Sequence, residues 1–276
     1  MIVLTLPLIL KHCPLEDQLN HASNNLPDPT DQQEWQHSSS HRHSGGREPA
    51  FNLPPVIILF SVLFVLIHAA RTYLLTPDQD FQVILQFSFI PAYFTFPLDE
   101  VPYPASRYWS YLSYALLHGD WTHVFVNLLW TVAFGSVVAR RFGGLRFFGF
   151  SALAAIAGAL AHFAMHSGDI SPVIGASASV SAYMGAAIRF VLGPGGLAAG
   201  QQRGVVSQPP AMSLIQALTN RNVILFVGVW LALNLLFGTG LVPIAGEGVQ
   251  IAWEAHVGGF VFGLLAFSLF DPIGRH

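Results

Sequence analysis

From residue 54 onward, apolar positions recur in long runs separated by short polar connections. Six runs can be drawn, at about 54–74, 120–139, 145–166, 172–193, 221–239 and 252–270. A run of about 18 or more apolar residues with few charges reads as a helix crossing a bilayer, which takes about 20 residues. The close spacing of the runs predicts one bundle rather than several domains. Residues 1–50 break the pattern. Segment 11–49 is rich in His, Ser, Asn, Gln and Pro, is too polar to bury a core, and reads as a disordered tail. The short apolar start, 1–10, has no basic flank before it and no small-residue cleavage site after it, so it is a poor signal peptide. The expected architecture is an all-α membrane protein, a six-helix domain over 51–276 behind a tail over 1–50.

Composition agrees: 53% of the chain is hydrophobic and 10% charged, where a soluble domain has about a quarter of its residues charged. A net charge of −3 gives no sign of a nucleic-acid partner. Cys13 is the only cysteine, which excludes an intramolecular disulfide and a thiolate metal cluster. His37, His41 and His43 in the tail are weak metal ligands at most, and a solvated tail is the preferred reading.

The basic residues set an orientation. Of the twelve Lys and Arg, Lys11, Arg42, Arg47, Arg140, Arg141, Arg146, Arg189, Arg203, Arg221 and Arg275 fall on one side of the predicted bundle. Arg71 and Arg107 fall on the other. Basic residues near span ends mark the cytoplasmic face, so both termini are expected to be cytoplasmic, which an even number of spans allows. The long outer segment, about 75–117, carries Phe94, Phe96, Tyr103, Tyr108, Trp109, Tyr111 and Tyr114. Aromatic rings favour the membrane–water boundary, and this segment is expected to lie partly within it.

Spans two, four and six all run inward from the outer face, and each begins with polar groups that a plain anchor does not need. Span two has His123 and Asn127, four apart and so on one helix face. Span four has Ser177, with Ser181 and Gly185 on the same small-residue ridge. Span six has His256, three residues before the Gly259–Gly263 ridge. Small ridges let helix backbones approach closely, and packing these two together brings serine and imidazole within hydrogen-bond reach. A serine becomes nucleophilic when an imidazole takes its proton. The oxyanion that follows needs donors already in place, available from the helix start at Ser177 and from His123 and Asn127. Periodicity alone does not choose between Ser177 and Ser181, although Ser179 points away from both. Glu254 lies on a different helical face from His256, so a dyad is expected.

These motifs resemble those of the rhomboid intramembrane serine proteases, over about residues 51–270. His118 through Asn127 is similar to the family's span-two motif, in which a His and an Asn four apart line the oxyanion hole. Gly175, Ala176 and Ser177 resemble the Gly-x-Ser motif, which selects Ser177 as nucleophile. Ala255 through Gly263 resembles the span-six motif bearing the general base, here His256. The resemblance implies a six-helix bundle around a wet cavity open to the outer face. It also implies cleavage of single-spanning membrane proteins near the outer end of their helices, without a cofactor, in a bacterial inner membrane. Three positions depart from the usual pattern: Ala178 replaces a Gly, Ser181 an aromatic, and Ser110 follows Trp109 where Arg is frequent. The glycine-rich stretch 240–251 is the expected mobile cap over the site.

Two other readings compete. A metal- or haem-binding membrane protein would use His162 and His166, four apart on span three, with His118 and His123 near the outer face. No Cys or Asp accompanies the span-three pair in the sequence. A transporter would place its polar groups near the midplane, whereas these gather toward one face. A catalytically inactive relative of the proteases is the remaining alternative.

Overall fold

The computed structural model describes residues 52–193, 210–239 and 251–273. Cys13, His37, His41 and His43, and the expected cap except Ile251, lie outside the described residues. The unit described below is Leu53–His276.

Helix α1, Pro55–Leu74, opens on a proline, whose fixed φ and missing N–H suit a first helical turn. A short helix, α2, Pro77–Phe87, follows with a reciprocal Thr76–Gln79 capping box. The chain then makes short 3-10 turns through α3, Ser110–Ser113. Helix α4, Trp121–Phe142, is interrupted by a π turn at Thr131–Gly135. After Gly143 comes α5, Gly144–Met165, then α6, Ser177–Val191. The short α7, Leu214–Thr219, precedes α8, Arg221–Gly238, and α9, Trp253–Phe270, ends the described bundle.

Five of these helices, α1, α4, α5, α8 and α9, are long and apolar enough to cross a membrane. The sixth differs from expectation. The run 172–193 becomes helical only at Ser177, because residues ahead of it are held extended: Val173 and Phe89 exchange backbone hydrogen bonds of 2.9 and 3.0 Å. At 15 residues, α6 rises about 22 Å, short of the ~30 Å hydrocarbon. It is instead the centre of the bundle, with every residue from Ala178 to Phe190 buried. The chain is an all-α bundle of an integral membrane protein, and large apolar side chains such as Leu66, Phe125, Leu160 and Leu225 point outward from it. Such an exposed apolar surface suits lipid, not water.

The end of the bundle remote from Ser177 is fixed by cations whose charges are satisfied. Arg141 is bidentate to Asp271 at 2.9 Å for each bond, joining the ends of α4 and α9. Arg189 donates to the carbonyls of Met212 and Leu264. Unpaired, either charge would be costly to bury. At the opposite end, Arg71 pairs with Asp80 at 2.7 Å and donates to the carbonyl of His118, tying α1 to the outer segment.

The segment between α1 and α4 packs through its rings. Phe89, Phe94, Tyr111 and Tyr114 form one cluster, and the Tyr114 hydroxyl donates to Ala155 O on α5. Burial raises the Tyr114 phenol well above its usual range, so it remains a donor.

Candidate active site

The predicted ridges of α6 and α9 meet, forming the most extensive helix pair in the bundle. A Cβ on Gly259 would lie 2.0 Å from Ala178 O, and one on Gly263 2.1 Å from Ala182 O. Only glycine allows this approach. The residues beneath these glycines are thus Ala178 and Ala182, one position on from the serines expected there.

This seam sets Ser177 and His256 side by side. Ser177 is the first residue of α6, and His256 lies in the first turn of α9. Ser177 Oγ and His256 Nε2 are 2.7 Å apart. Both residues are half-buried. Ser179 faces elsewhere, donating to Ser151 O on α5 at 2.9 Å, and Ser181 is buried one turn below Ser177.

The other face of the imidazole holds a residue that the sequence reading passed over. Asn234 Oδ1 on α8 lies 2.7 Å from His256 Nδ1, while Asn234 Nδ2 donates to Trp230 O at 2.8 Å. The second bond orients the amide, leaving its oxygen toward the ring. An amide oxygen can only accept, so Nδ1 carries the proton and Nε2 keeps its lone pair for the serine hydroxyl. The available signal was an Asn within an otherwise apolar span.

His123 and Asn127 take different positions about this pair. Gly175 has φ +124, and a Cβ there would meet His123 Nε2 at 2.7 Å and Ser177 Oγ at 3.7 Å. The His123 ring edge therefore lies over the backbone that leads into Ser177. Its Nδ1 accepts from Gly119 N at 3.4 Å, which leaves Nε2–H facing the site. Asn127 sits one turn deeper and donates through Nδ2 to His123 O at 3.0 Å. The approach to Ser177 is tied down, with Gly175 N donating to Tyr114 O at 3.0 Å. Ala176, at the N-cap, supplies no side-chain cap, so the first N–H groups of α6 remain available to an anion.

A family model for the rhomboid domain matches residues 105–271, more than half of the chain. This chain belongs to the rhomboid family. No curated protein matches it. The match takes in α3 to α9 and leaves α1 and α2 outside, although the sequence resemblance extended back to about residue 51.

Within this rhomboid, the departure at Ala178 has a structural counterpart. Ala178 is 1% exposed, and its methyl occupies space that a Cβ on Gly158 of α5 would need, at 2.4 Å. The extra carbon on α6 is thus matched by a missing one on α5, and the α6–α9 approach is preserved. His118 packs against His123, with ring centroids 5.1 Å apart, and is fully buried. Burial, with a smaller contribution from His123, lowers its pKa to about 3, so at neutral pH it is an uncharged imidazole with one N–H. Glu254 turns away from His256 toward His162 and His166, at 3.4 and 2.9 Å. The span-three histidines therefore do have a carboxylate companion, supplied by another helix.

Proposed function

We propose that this rhomboid is an active intramembrane serine endopeptidase, with Ser177 as nucleophile and His256 as general base. The observation that carries the reading is the 2.7 Å contact between Ser177 Oγ and His256 Nε2, with Nδ1 of the same ring anchored on Asn234. An imidazole held only for structure has no need of a fixed tautomer whose lone pair faces a serine at a helix start.

In the proposed reaction, Ser177 Oγ attacks the scissile carbonyl while its proton passes to His256 Nε2. Asn234 Oδ1 accepts from Nδ1–H throughout and stabilises the imidazolium as a neutral acceptor rather than as a counter-charge. The carbonyl oxygen becomes an oxyanion near the start of α6, where first-turn N–H groups and His123 Nε2–H are donors. Asn127 takes part by releasing its bond to His123 O or by using its second N–H. His256 then gives its proton to the leaving amine, and the C-terminal part of the substrate departs with a new amino terminus. Water, deprotonated by His256, hydrolyses the Ser177 ester and frees the C-terminal carboxylate.

A peptide bond within a regular helix presents its carbonyl along the axis, hydrogen-bonded and unavailable to Oγ. The proposed substrates are therefore single-spanning membrane proteins whose helix unwinds near its outer end. The proposed orientation puts both termini in the cytoplasm and the site toward the outer face, in a bacterial inner membrane. Purified protein should cleave a model transmembrane substrate and label with a fluorophosphonate. Ser177→Ala should abolish both, and His256→Ala should lower cleavage by at least about 10³-fold. Undiminished cleavage by Ser177→Ala would refute the assignment.

A further inference from the structure

His162, His166 and Glu254 play no part in this reaction. His162 lies in the last turn of α5 and His166 caps it, while Glu254 lies in the first turn of α9. Their nearest ligand atoms all fall within 4.8 Å of one another. His162 Nδ1 is 3.4 Å and His166 Nε2 2.9 Å from the Glu254 carboxylate, and the two rings stack with centroids 4.7 Å apart. Glu254 and His162 are buried, at 7% and 6% exposed. His162 Nε2 has no hydrogen-bond partner among the described residues. The His162 nitrogen facing Glu254 is Nδ1, and the buried Nε2 across the ring is left unsatisfied, which calls for an explanation beyond packing.

We propose that these three residues form a binding site for a divalent first-row transition ion, with zinc as the test ion. Two imidazoles and one carboxylate make a donor set that suits zinc with one open position for water. Bonds of about 2.0–2.1 Å in tetrahedral geometry separate ligand atoms by about 3.4 Å. Two of the spacings already lie near that value, 3.4 Å from His162 Nδ1 and 2.9 Å from His166 Nε2 to the Glu254 carboxylate. The site is reachable from the outer face, because the His166 side chain is 39% exposed. Asp169 stands close enough to both imidazoles to draw a cation toward them. A bound ion would join the end of α5 to the start of α9, two residues before His256.

Binding is measured independently of proteolysis. The full-length protein, without a polyhistidine tag and with His37, His41 and His43 replaced by Ala, is stripped of metal and titrated with zinc by calorimetry. The expected result is one zinc per chain, weakened at least about a hundredfold in both His166→Ala and Glu254→Gln, since loss of even an outer-shell partner costs ten- to a hundredfold. The thermal midpoint should rise with zinc in the parent and not in either variant. His166→Ala, at the exposed residue, decides the outcome if Glu254→Gln does not fold. No zinc binding by the parent, or equally tight binding by folded His166→Ala, would overturn the site.

Discussion

Along its seam with α6, helix α9 lays Gly259 and Gly263 on backbone oxygens of its neighbour. Against α8 it makes a ring stack, Trp230 on Phe260 at 4.5 Å, the Asn234–His256 hydrogen bond, and a packing of Trp253 on Gly238, where a Cβ would lie 2.6 Å from the Trp253 side chain. The first contact is backbone to backbone and admits no side chain. The second is made through side chains of α9 and α8, and α8 itself has only Val223 buried. In a bilayer the apolar surface of α8 gains nothing from leaving lipid, so packing and polar contacts must hold it in place. Ser177 Oγ and His256 Nε2 are thus carried by the close seam, while the residue that sets the tautomer comes from a helix with little buried surface. A movement of α8 would loosen the base without separating it from the serine.

The comparison breaks most severely at the seam. Gly263→Val puts a branched side chain where even a Cβ lies 2.1 Å from Ala182 O. Helices α6 and α9 must then part, with a destabilisation of about 3 kcal/mol or more. A displacement near 1 Å at the site costs about a hundredfold or more. Fluorophosphonate labelling of Ser177 should fall by that factor and the thermal midpoint in detergent should drop with it. Labelling at the wild-type rate would show that the seam does not position the pair.

Asn234 tests the looser side. Asn234→Ala leaves Nδ1–H without its acceptor and lets the ring choose its tautomer and rotamer. The expected loss is about tenfold in kcat with KM little changed, because the contact concerns the base rather than substrate binding. Asn234→Asp keeps an acceptor at the same place and should recover most of that loss. A pure structural role for Asn234 would instead lower the thermal midpoint, and Asp would not restore the rate.

What was legible in the sequence follows the same division. The spans could be read because lipid demands uninterrupted apolar residues, and the Ser177–His256 meeting because glycine and small-residue ridges advertise close approach. The true start of α6 was hidden: residues 172–176 are apolar enough for a helix, but the pairing of Val173 with Phe89, the Gly175–Tyr114 hydrogen bond and the positive φ of Gly175 keep them out of one. The partners of Asn234 and Glu254 were hidden for a related reason. They lie on other helices, 22 and about 90 residues away, and side-chain meetings across helices leave no periodic trace. Spacing revealed which faces touch, but not which polar tips meet between them.

The smallest effect concerns Ala178, where the sequence departs from its family and the structure shows compensation. Ala178→Gly removes a methyl that α5 already accommodates, leaving a small void at a cost of about 1 kcal/mol. Gly158→Ala alone should cost more, because its Cβ would meet Ala178 Cβ at 2.4 Å and Ala255 O at 2.9 Å. Combining the two relieves the first clash and leaves the second. The double variant should therefore be more stable than Gly158→Ala by about 1–2 kcal/mol, a coupling of the size expected for residues in contact. Thermal midpoints of the four proteins measure it. Strict additivity would mean that the Ala178 methyl and Gly158 do not share the same space, and the seam would then tolerate Ala178 for some other reason.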